Sequence, residues 1–292
     1  MKKTILLTGS TGYLGSYLAH ALVAQGHNLI ILKRKNSSLL RIESIIPMAV
    51  LYNIENLDYS VPFNAHGKID AVIHTATCYG RHGETPSEVF KANTGFPLRL
   101  LDAASATGVD IFINTDTILD KYLNLYSLSK NQLLEWGRFF SMHNKIRFIN
   151  MRLEHFYGPG DEASKFTTHV INSCLRNVPE LKLTLGEQKR DFIYIDDVVS
   201  AYLIILEKLG QFPDLFNEFH VGSGAAVSIR DFVEKVHHIT GSNTQLAFGS
   251  LPYRKGEVMS SHANVEPLAK LGWFCKTNLE QGLNLVMEGY KK

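Results

Sequence analysis

Only three cysteines, Cys78, Cys174 and Cys275, occur in the 292 residues, and none stands in a CxxC or Cys/His ligand spacing. That excludes a disulfide framework and fits reduced thiols in a reducing compartment. Charge of one sign is equally scarce: 30 Lys and Arg face 28 Asp and Glu, a formal net charge of +2. No basic run exceeds Lys33-Arg34-Lys35, so a broad surface for nucleic acid or anionic lipid is excluded and any basic site is local. Long apolar runs are missing too. The stretch after Met1-Lys2-Lys3 is interrupted at Gly9 before a signal-peptide core forms, and none is long enough to span a bilayer. A cytoplasmic protein with no membrane partner is expected. Among the twelve histidines there is no HExxH, and no calcium loop or Cys/His cluster accompanies them, so no metal role is expected.

What is present is apolar material, 45% of residues against 20% charged, enough for one large globular unit with a smaller lobe. Short apolar runs at 4–7, 28–32, 49–52, 71–74, 111–114 and 146–151 read as strands. Segments with helical spacing at 13–25, 87–106 and 126–141 lie between them. Such alternation predicts an α/β fold, a Rossmann doubly wound parallel sheet covered by helices on both faces. Beyond Tyr157-Gly158-Pro159-Gly160 the alternation degrades, with helices near 229–240 and 279–287, and a smaller C-terminal substrate-binding α/β lobe is expected. The boundaries are 1–155 for the dinucleotide-binding domain, with 190–212 returning to it, and 156–189 with 213–292 for the lobe. A cleft between the two is the expected substrate site.

Gly9-Ser10-Thr11-Gly12-Tyr13-Leu14-Gly15 sits between the first strand and the first helix. There, missing Cβ atoms let backbone N–H groups approach a pyrophosphate, and the helix N-terminus favours the anion. At the end of the second strand, where an NAD-binding chain commonly places an acid for the ribose hydroxyls, stand Lys33 and Arg34. An acid repels a 2′-phosphate, whereas these two offer it charge-assisted hydrogen bonds, so NADPH is the expected cofactor.

Tyr126-Ser127-Leu128-Ser129-Lys130 places a phenol and an ammonium one helical turn apart, facing one cleft. A neighbouring positive charge favours phenolate over phenol and eases proton transfer to a developing alkoxide. Lys130 also suits the nicotinamide ribose. A hydroxyl is needed beside the carbonyl oxygen. Asn114-Thr115-Asp116-Thr117 ends a strand just upstream; Thr117, farthest along that edge, is the candidate, with Thr115 the local alternative.

These motifs, with Ala76-Thr77-Cys78-Tyr79-Gly80-Arg81-His82, Met151 to Gly160 and Gly186 to Asp197, resemble the extended short-chain dehydrogenase/reductases over essentially the whole chain. More narrowly, they look like the sugar-nucleotide 4-ketoreductases of dideoxyhexose biosynthesis. The resemblance implies hydride delivery from NADPH to C4 of a CDP-4-keto-3,6-dideoxy-D-glucose, with Tyr126 protonating the oxygen, Lys130 assisting and Thr117 holding the carbonyl. The implied cofactor set adds Asn53, Ile54, Thr75, Ala76, Thr77 and Leu153 to the glycine turn, Lys33, Arg34, Tyr126 and Lys130. Arg190 and Arg254, assisted by Lys165, are implied to grip the nucleotide diphosphate; from the residues alone, Arg190 reads as an ion-pair partner of Asp191.

Departures from the broad family bear on substrate. Many members carry asparagine before the Tyr-Gly-Pro segment, where this chain has Glu154-His155, so His155 is inferred to take a sugar-side contact. Tyr79, Arg81 and His82 are inferred to line the hexose pocket. Asn53 replaces the usual acid after the third strand. Thr117 is followed by Ile118-Leu119, not by the Asp-Glu pair of the 4,6-dehydratases, which disfavours dehydration. Asp196 reads as a helix N-cap and, with Asp197, stays outside the site. The abequose-like and paratose-like product configurations both stay open, the former preferred. The expected partner is a CDP-linked deoxysugar, with a homodimer consistent with the family.

Overall fold

The computed structural model describes residues 2–212 and 214–290; the expected lobe ends at residues 1, 213 and 292 fall outside them. In chain order the elements are β1 (Thr4–Thr8), α1 (Tyr13–Ala24), β2 (Asn28–Lys33), β3 (Ala49–Asn53), α2 (Ser60–Ala65), β4 (Ala71–His74), α3 (Pro86–Phe90), α4 (Phe96–Ala106), β5 (Ile111–Thr117), α5 (Leu125–Met142) and β6 (Arg147–Leu153). Then follow β7 (His155–Tyr157), α6 (Phe166–Leu175), β8 (Glu180–Leu183), β9 (Lys189–Tyr194), α7 (Ile195–Glu207), β10 (Phe216–Val221), β11 (Ala226–Ser228), α8 (Ile229–Thr240), β12 (Gln245–Phe248), α9 (Glu266–Lys270) and α10 (Leu279–Tyr290).

The chain divides into two compact units, Met1–Leu153 with Val199–Phe219, and Glu154–Val198 with His220–Lys292. The first is built on a seven-stranded sheet in the order β10-β6-β5-β4-β1-β2-β3. Its registered pairs are parallel, Leu6 lying between Ile30 and Val72, and Phe112 beside Phe148. The central strands read as unbroken apolar runs because both their faces are covered; Leu6, Ile73 and Ile113 have no exposed surface. The rings of Phe112, Phe148 and Phe216 stack across three neighbouring strands at 5.7 and 6.3 Å. β1 pairs with both β2 and β4, so chain order reverses there, and in such sheets ligands bind beyond the carboxyl ends of the two strands flanking that point. Gly9 and Thr75 stand at those two ends.

Two features differ from the sequence reading. The single helix expected over 87–106 is broken: a π turn over Lys91–Gly95 separates α3 from α4. Pro97 has no N–H to give the carbonyl of Asn93, and its ring crowds that carbonyl, so the helix widens there. The segment returning to the sheet unit is Val199–Phe219 in place of 190–212. β9 instead pairs with β7 and β11 in a separate three-stranded sheet, and β10 supplies the seventh strand of the large one.

The second unit packs Phe192 against Phe232, ring centroids 4.3 Å apart, and holds Tyr157 against Tyr194. Asp191 is fully buried there and accepts hydrogen bonds from the N–H groups of Ser223, Gly224 and Ala263 and from the Ser223 hydroxyl. No helix among the described residues is long and apolar enough to cross a membrane.

Candidate active site

The glycine turn is fixed by close contacts. Gly9 has φ of +75°, and a Cβ on it would lie 2.5 Å from the Ala76 nitrogen, so only glycine lets the turn rest on the end of β4. A Cβ on Gly15 would lie 2.1 Å from the Gly9 carbonyl oxygen. Gly12 is different. It is exposed, caps α1 in an extended conformation, and its absent Cβ would meet only the Gly9 oxygen, at 3.3 Å. Its openness therefore serves whatever approaches the N-terminus of α1. The Ser10 hydroxyl is buried with no hydrogen-bond partner in the protein, an unused donor in the same turn. Open backbone, a helix N-terminus and an unused hydroxyl together fit the pyrophosphate of a dinucleotide. Thr11 is partly buried, while Tyr13 and Leu14 enter the core as α1 begins.

Thr75 braces the turn from β4, its hydroxyl donating to the Thr8 carbonyl at 2.8 Å. The Ala76 N–H donates to the Thr8 hydroxyl, and Thr77 is tied to Asn93. At the end of β2, Lys33 donates to the Asn53 side-chain oxygen at 2.9 Å, so Asn53, a member of the implied cofactor set, is held by Lys33. Arg34 is exposed. Ile54 packs on the core under the sheet, and Leu153 is buried at the end of β6 opposite Thr117.

Gly137 lets α5 lie close on the sheet: a Cβ there would fall 2.4 Å from the Phe148 ring. Asn124 caps the helix with a reciprocal bond to Ser127, fixing the start of the turn that carries Tyr126. The Thr117 side chain comes close enough to the Tyr126 phenol to favour its ionised form. Thr115 instead bonds the Tyr202 hydroxyl at 2.7 Å, so of the two threonines it is Thr117 that meets the phenol. Lys130 is 1% exposed. Burial lowers it from the ordinary 10.5 to about 8, against an upward pull from Asp116. Beneath it, His74 is fully buried, bonds the Thr8 hydroxyl, and is kept neutral by burial and by the Lys130 charge.

The expected lowering of the phenol is not what the fold produces. Burial, with Tyr79 and Asp116, pushes Tyr126 well above the ordinary tyrosine value, while the Thr117 contact and Arg81 pull the other way. Desolvation outweighs the Arg81 charge and the Thr117 contact. Tyr79 lies against Tyr126 at 5.1 Å, and the Arg81 guanidinium sits 4.8 Å over the Tyr79 ring. His82 is exposed, its N–H donating to Glu84.

Asn93 has no counterpart in the sequence reading. Buried at the π turn, it accepts from the Cys78 N–H and donates to the Cys78 carbonyl, both at 2.7 Å, and donates to the Ser129 hydroxyl. It thus ties the segment before Tyr79 to α5 one residue from Lys130. π turns recur at functional sites because they redirect side chains in this way. Thr117 also lines a polar cavity of about 290 Å³ with Asp116, Asp120, Asn131, Arg138 and Glu218.

In the second unit, Arg190 pairs with Glu257, not with Asp191, whose carboxylate is occupied by the four donors named above. Lys165 is held by Asp161 at 3.0 Å and lies over the Phe156 ring. Arg254 is exposed. Glu154 is buried, accepts from the Ser261 hydroxyl, and lies 3.5 Å from His155, whose ring meets Phe192 edge-on. Asp197 accepts from the Lys276 and Thr277 N–H groups and so fastens the approach to α10. Asp196 falls inside the first turn of α7, not at its cap. No group of three or more His, Cys, Asp or Glu side chains suited to a metal occurs among the described residues.

A dinucleotide-binding α/β fold with a tyrosine, lysine and threonine at its sheet edge defines the class. The profile of the NAD dependent epimerase/dehydratase family matches residues 5–217, and the chain belongs to that family. It is 36% identical to the CDP-abequose synthase of Salmonella muenchen, over 98% of both chains. To the CDP-abequose synthase of Salmonella typhimurium it is 33% identical, over 99% of this chain and 98% of the relative. In fold it is similar to the UDP-glucose 4-epimerase of Thermotoga maritima, solved with UDP-glucose: TM-score 0.84, 24% identity, 99% and 98% coverage. The UDP-glucuronic acid 4-epimerase of Bacillus cereus, solved with UDP-glucuronic acid and NAD, gives a TM-score of 0.85 at 22% identity and 99% coverage of both. Members of this enzyme family thus carry the names of nucleotide-sugar enzymes.

Proposed function

We propose that the protein is an NADPH-dependent reductase of the 4-keto group of a nucleotide-linked deoxysugar, converting CDP-4-keto-3,6-dideoxy-D-glucose to CDP-abequose. The observation that carries this reading is the approach of Thr117 to the Tyr126 phenol, with Lys130 buried one helical turn on. The names of the two Salmonella relatives support the nucleotide, the sugar and the product configuration.

When bound, the cofactor supplies the hydride. Backbone N–H groups of the glycine turn and the Ser10 hydroxyl hold the pyrophosphate, and Lys33 and Arg34 serve the 2′-phosphate. Thr117 and Tyr126 converge on the carbonyl oxygen. Thr117 orients it by hydrogen bonding, and Tyr126 gives its phenolic proton to that oxygen as negative charge develops. Reduction needs the phenol in its protonated state, and burial that raises Tyr126 maintains that state at neutral pH. Lys130 places its charge beside the ribose of the nicotinamide. Arg190 and Arg254 take the diphosphate and His155 a sugar hydroxyl.

Purified protein mixed with a stoichiometric amount of NADPH and the CDP-ketosugar is expected to consume the NADPH absorbance and yield the axial C4 alcohol by NMR. An unchanged NADPH signal with verified substrate overturns the reading, and isomerisation of a sugar nucleotide without cofactor consumption replaces it with an epimerase. Tyr126→Phe is expected to keep NADPH binding and to lose about 10²–10⁴ in turnover.

A further inference from the structure

Two side chains outside the Tyr-Lys-Thr set form a column that ends on the proton donor. The Arg81 guanidinium lies over the Tyr79 ring, and that ring lies against Tyr126 at 5.1 Å with the planes inclined by 42°. Arg81 itself is exposed. It reaches Tyr126 through an aromatic ring, not through a hydrogen bond. Tyr79 is not free to drift, because the chain immediately before it is clasped by Asn93, which takes the N–H and the carbonyl of Cys78. Two contacts in series restrain the Tyr126 ring, and they bring a positive charge towards a group whose charge state matters.

We propose that Arg81 is a positioning residue for Tyr126, acting through the Tyr79 ring: it holds the phenol in place against Thr117 and supplies a stabilising positive charge to its ionised form. A cation over a tyrosine face is attracted to the ring quadrupole, which makes the arrangement self-supporting without an acidic partner. The other groups facing Tyr126 are Asp116 and Thr117 from β5, Tyr79 itself, and Lys130 from the same helix. Asp116 and Tyr79 oppose ionisation and the Thr117 contact favours it. Lys130 lies one turn on, its own charge weakened by burial. Arg81 therefore tempers what burial does to the phenol, and the site gains a cation that does not lose its proton in the working range.

The inference rests on Tyr126 being the proton donor, but its test needs no substrate. The full-length protein is labelled uniformly with 3,5-difluorotyrosine, which acidifies every phenol into an accessible range. The Tyr126 resonance is identified in ¹⁹F NMR spectra as the signal missing from Tyr126→Phe. At an effective dielectric near 20, a unit charge roughly 10 Å away shifts a titration by about one pH unit. Arg81→Ala is expected to move the Tyr126 midpoint upward by about that amount, and Arg81→Lys, which keeps the charge, to hold it close to the unsubstituted protein. Tyr79→Leu, which removes the bridging ring, is expected to broaden the Tyr126 resonance and to shift it. Coincident titration curves for the unsubstituted protein and Arg81→Ala overturn the proposal. If the curves separate as expected while NADPH is not consumed in the reductase assay, the proposed reaction fails and the Arg81 device stands.

Discussion

The second and third glycines of the nucleotide turn are expected to fail in different ways when each receives a methyl group. In Gly15→Ala the new Cβ lies 2.1 Å from the Gly9 carbonyl oxygen and 2.5 Å from the Gly9 carbonyl carbon. Both are backbone atoms, so no rotamer change relieves the clash. Gly9 is itself pinned, since it rests against Ala76 and Thr75 at the end of β4. Either α1 lifts from the sheet or the turn opens, and overpacking of this kind costs about 3 kcal/mol or more. For a chain of this size that corresponds to a fall in Tm of roughly 6 °C. In Gly12→Ala the Cβ meets only the Gly9 oxygen, at 3.3 Å, and the backbone conformation is one that alanine adopts. Its stability cost is that of a poorer helix cap, about 1 kcal/mol. Its binding cost is larger, because the methyl group occupies the approach to the helix N-terminus, and NADPH affinity is expected to fall at least about tenfold. Thermal melts without ligand and fluorescence titration with NADPH separate the two. A Gly15→Ala protein that melts within a degree of the parent, or a Gly12→Ala protein that binds NADPH as tightly, refutes this account of the turn.

Other expectations follow from single contacts. Because Lys130 stands at about 8 in the folded chain and at an ordinary 10.5 when unfolded, the unfolded state holds more protons between those values. Stability therefore climbs with pH across that window and is lowest below it. Lys130→Met removes the buried charge at similar length, so it is expected to raise unliganded stability at neutral pH by ~2–3 kcal/mol and to flatten the climb; urea melts near pH 7 and pH 10 check this, and a less stable variant at pH 7 contradicts it. Thr117→Val is expected to lower kcat about 10²-fold, whereas Thr115→Val loses only the Tyr202 hydrogen bond, costs about 1 kcal/mol and leaves kcat within about threefold. Steady-state kinetics and melts on both variants decide between them. Arg34→Ala is expected to lower kcat/KM for NADPH by about 10–100-fold, with NADH unaffected; an equal loss for both cofactors removes the 2′-phosphate argument.

The parallel sheet was legible because its strands are buried on both faces and read as unbroken apolar runs separated by helix-length stretches. The glycine turn was legible because steric demands leave so few alternatives at Gly9 and Gly15. The spacing of Tyr126 and Lys130 was enough to place both on one helix, whereas only the fold separates Thr117 from Thr115, whose hydroxyl is taken by Tyr202. Three things stayed hidden, each because it depends on contacts remote in sequence. Asn93 acquires its partners only when Pro97 and Gly95 widen the helix, and the pair of helix-breaking residues was the signal available. Arg190 found Glu257, far along the chain, because its neighbour Asp191 was claimed by backbone donors of another loop. The sign of the Tyr126 shift depends on how much solvent is withdrawn from the phenol, which no residue pattern reports. β10 was missed because Phe216 to Val221 mixes Asn217, Glu218 and His220 into a six-residue run, as an edge strand with one wet face does.

The clasp of Asn93 on Cys78 gives the segment that follows a fixed root and a free tip. Beyond Arg81, His82 and Gly83 are exposed and Gly83 has φ of +86°, so the tip past Arg81 can change composition without disturbing a strand or a helix. Variation confined to that outer arm, anchored on the sheet side by one amide, offers a lineage room to change the surface there while the column from Arg81 to Tyr126 stays in place.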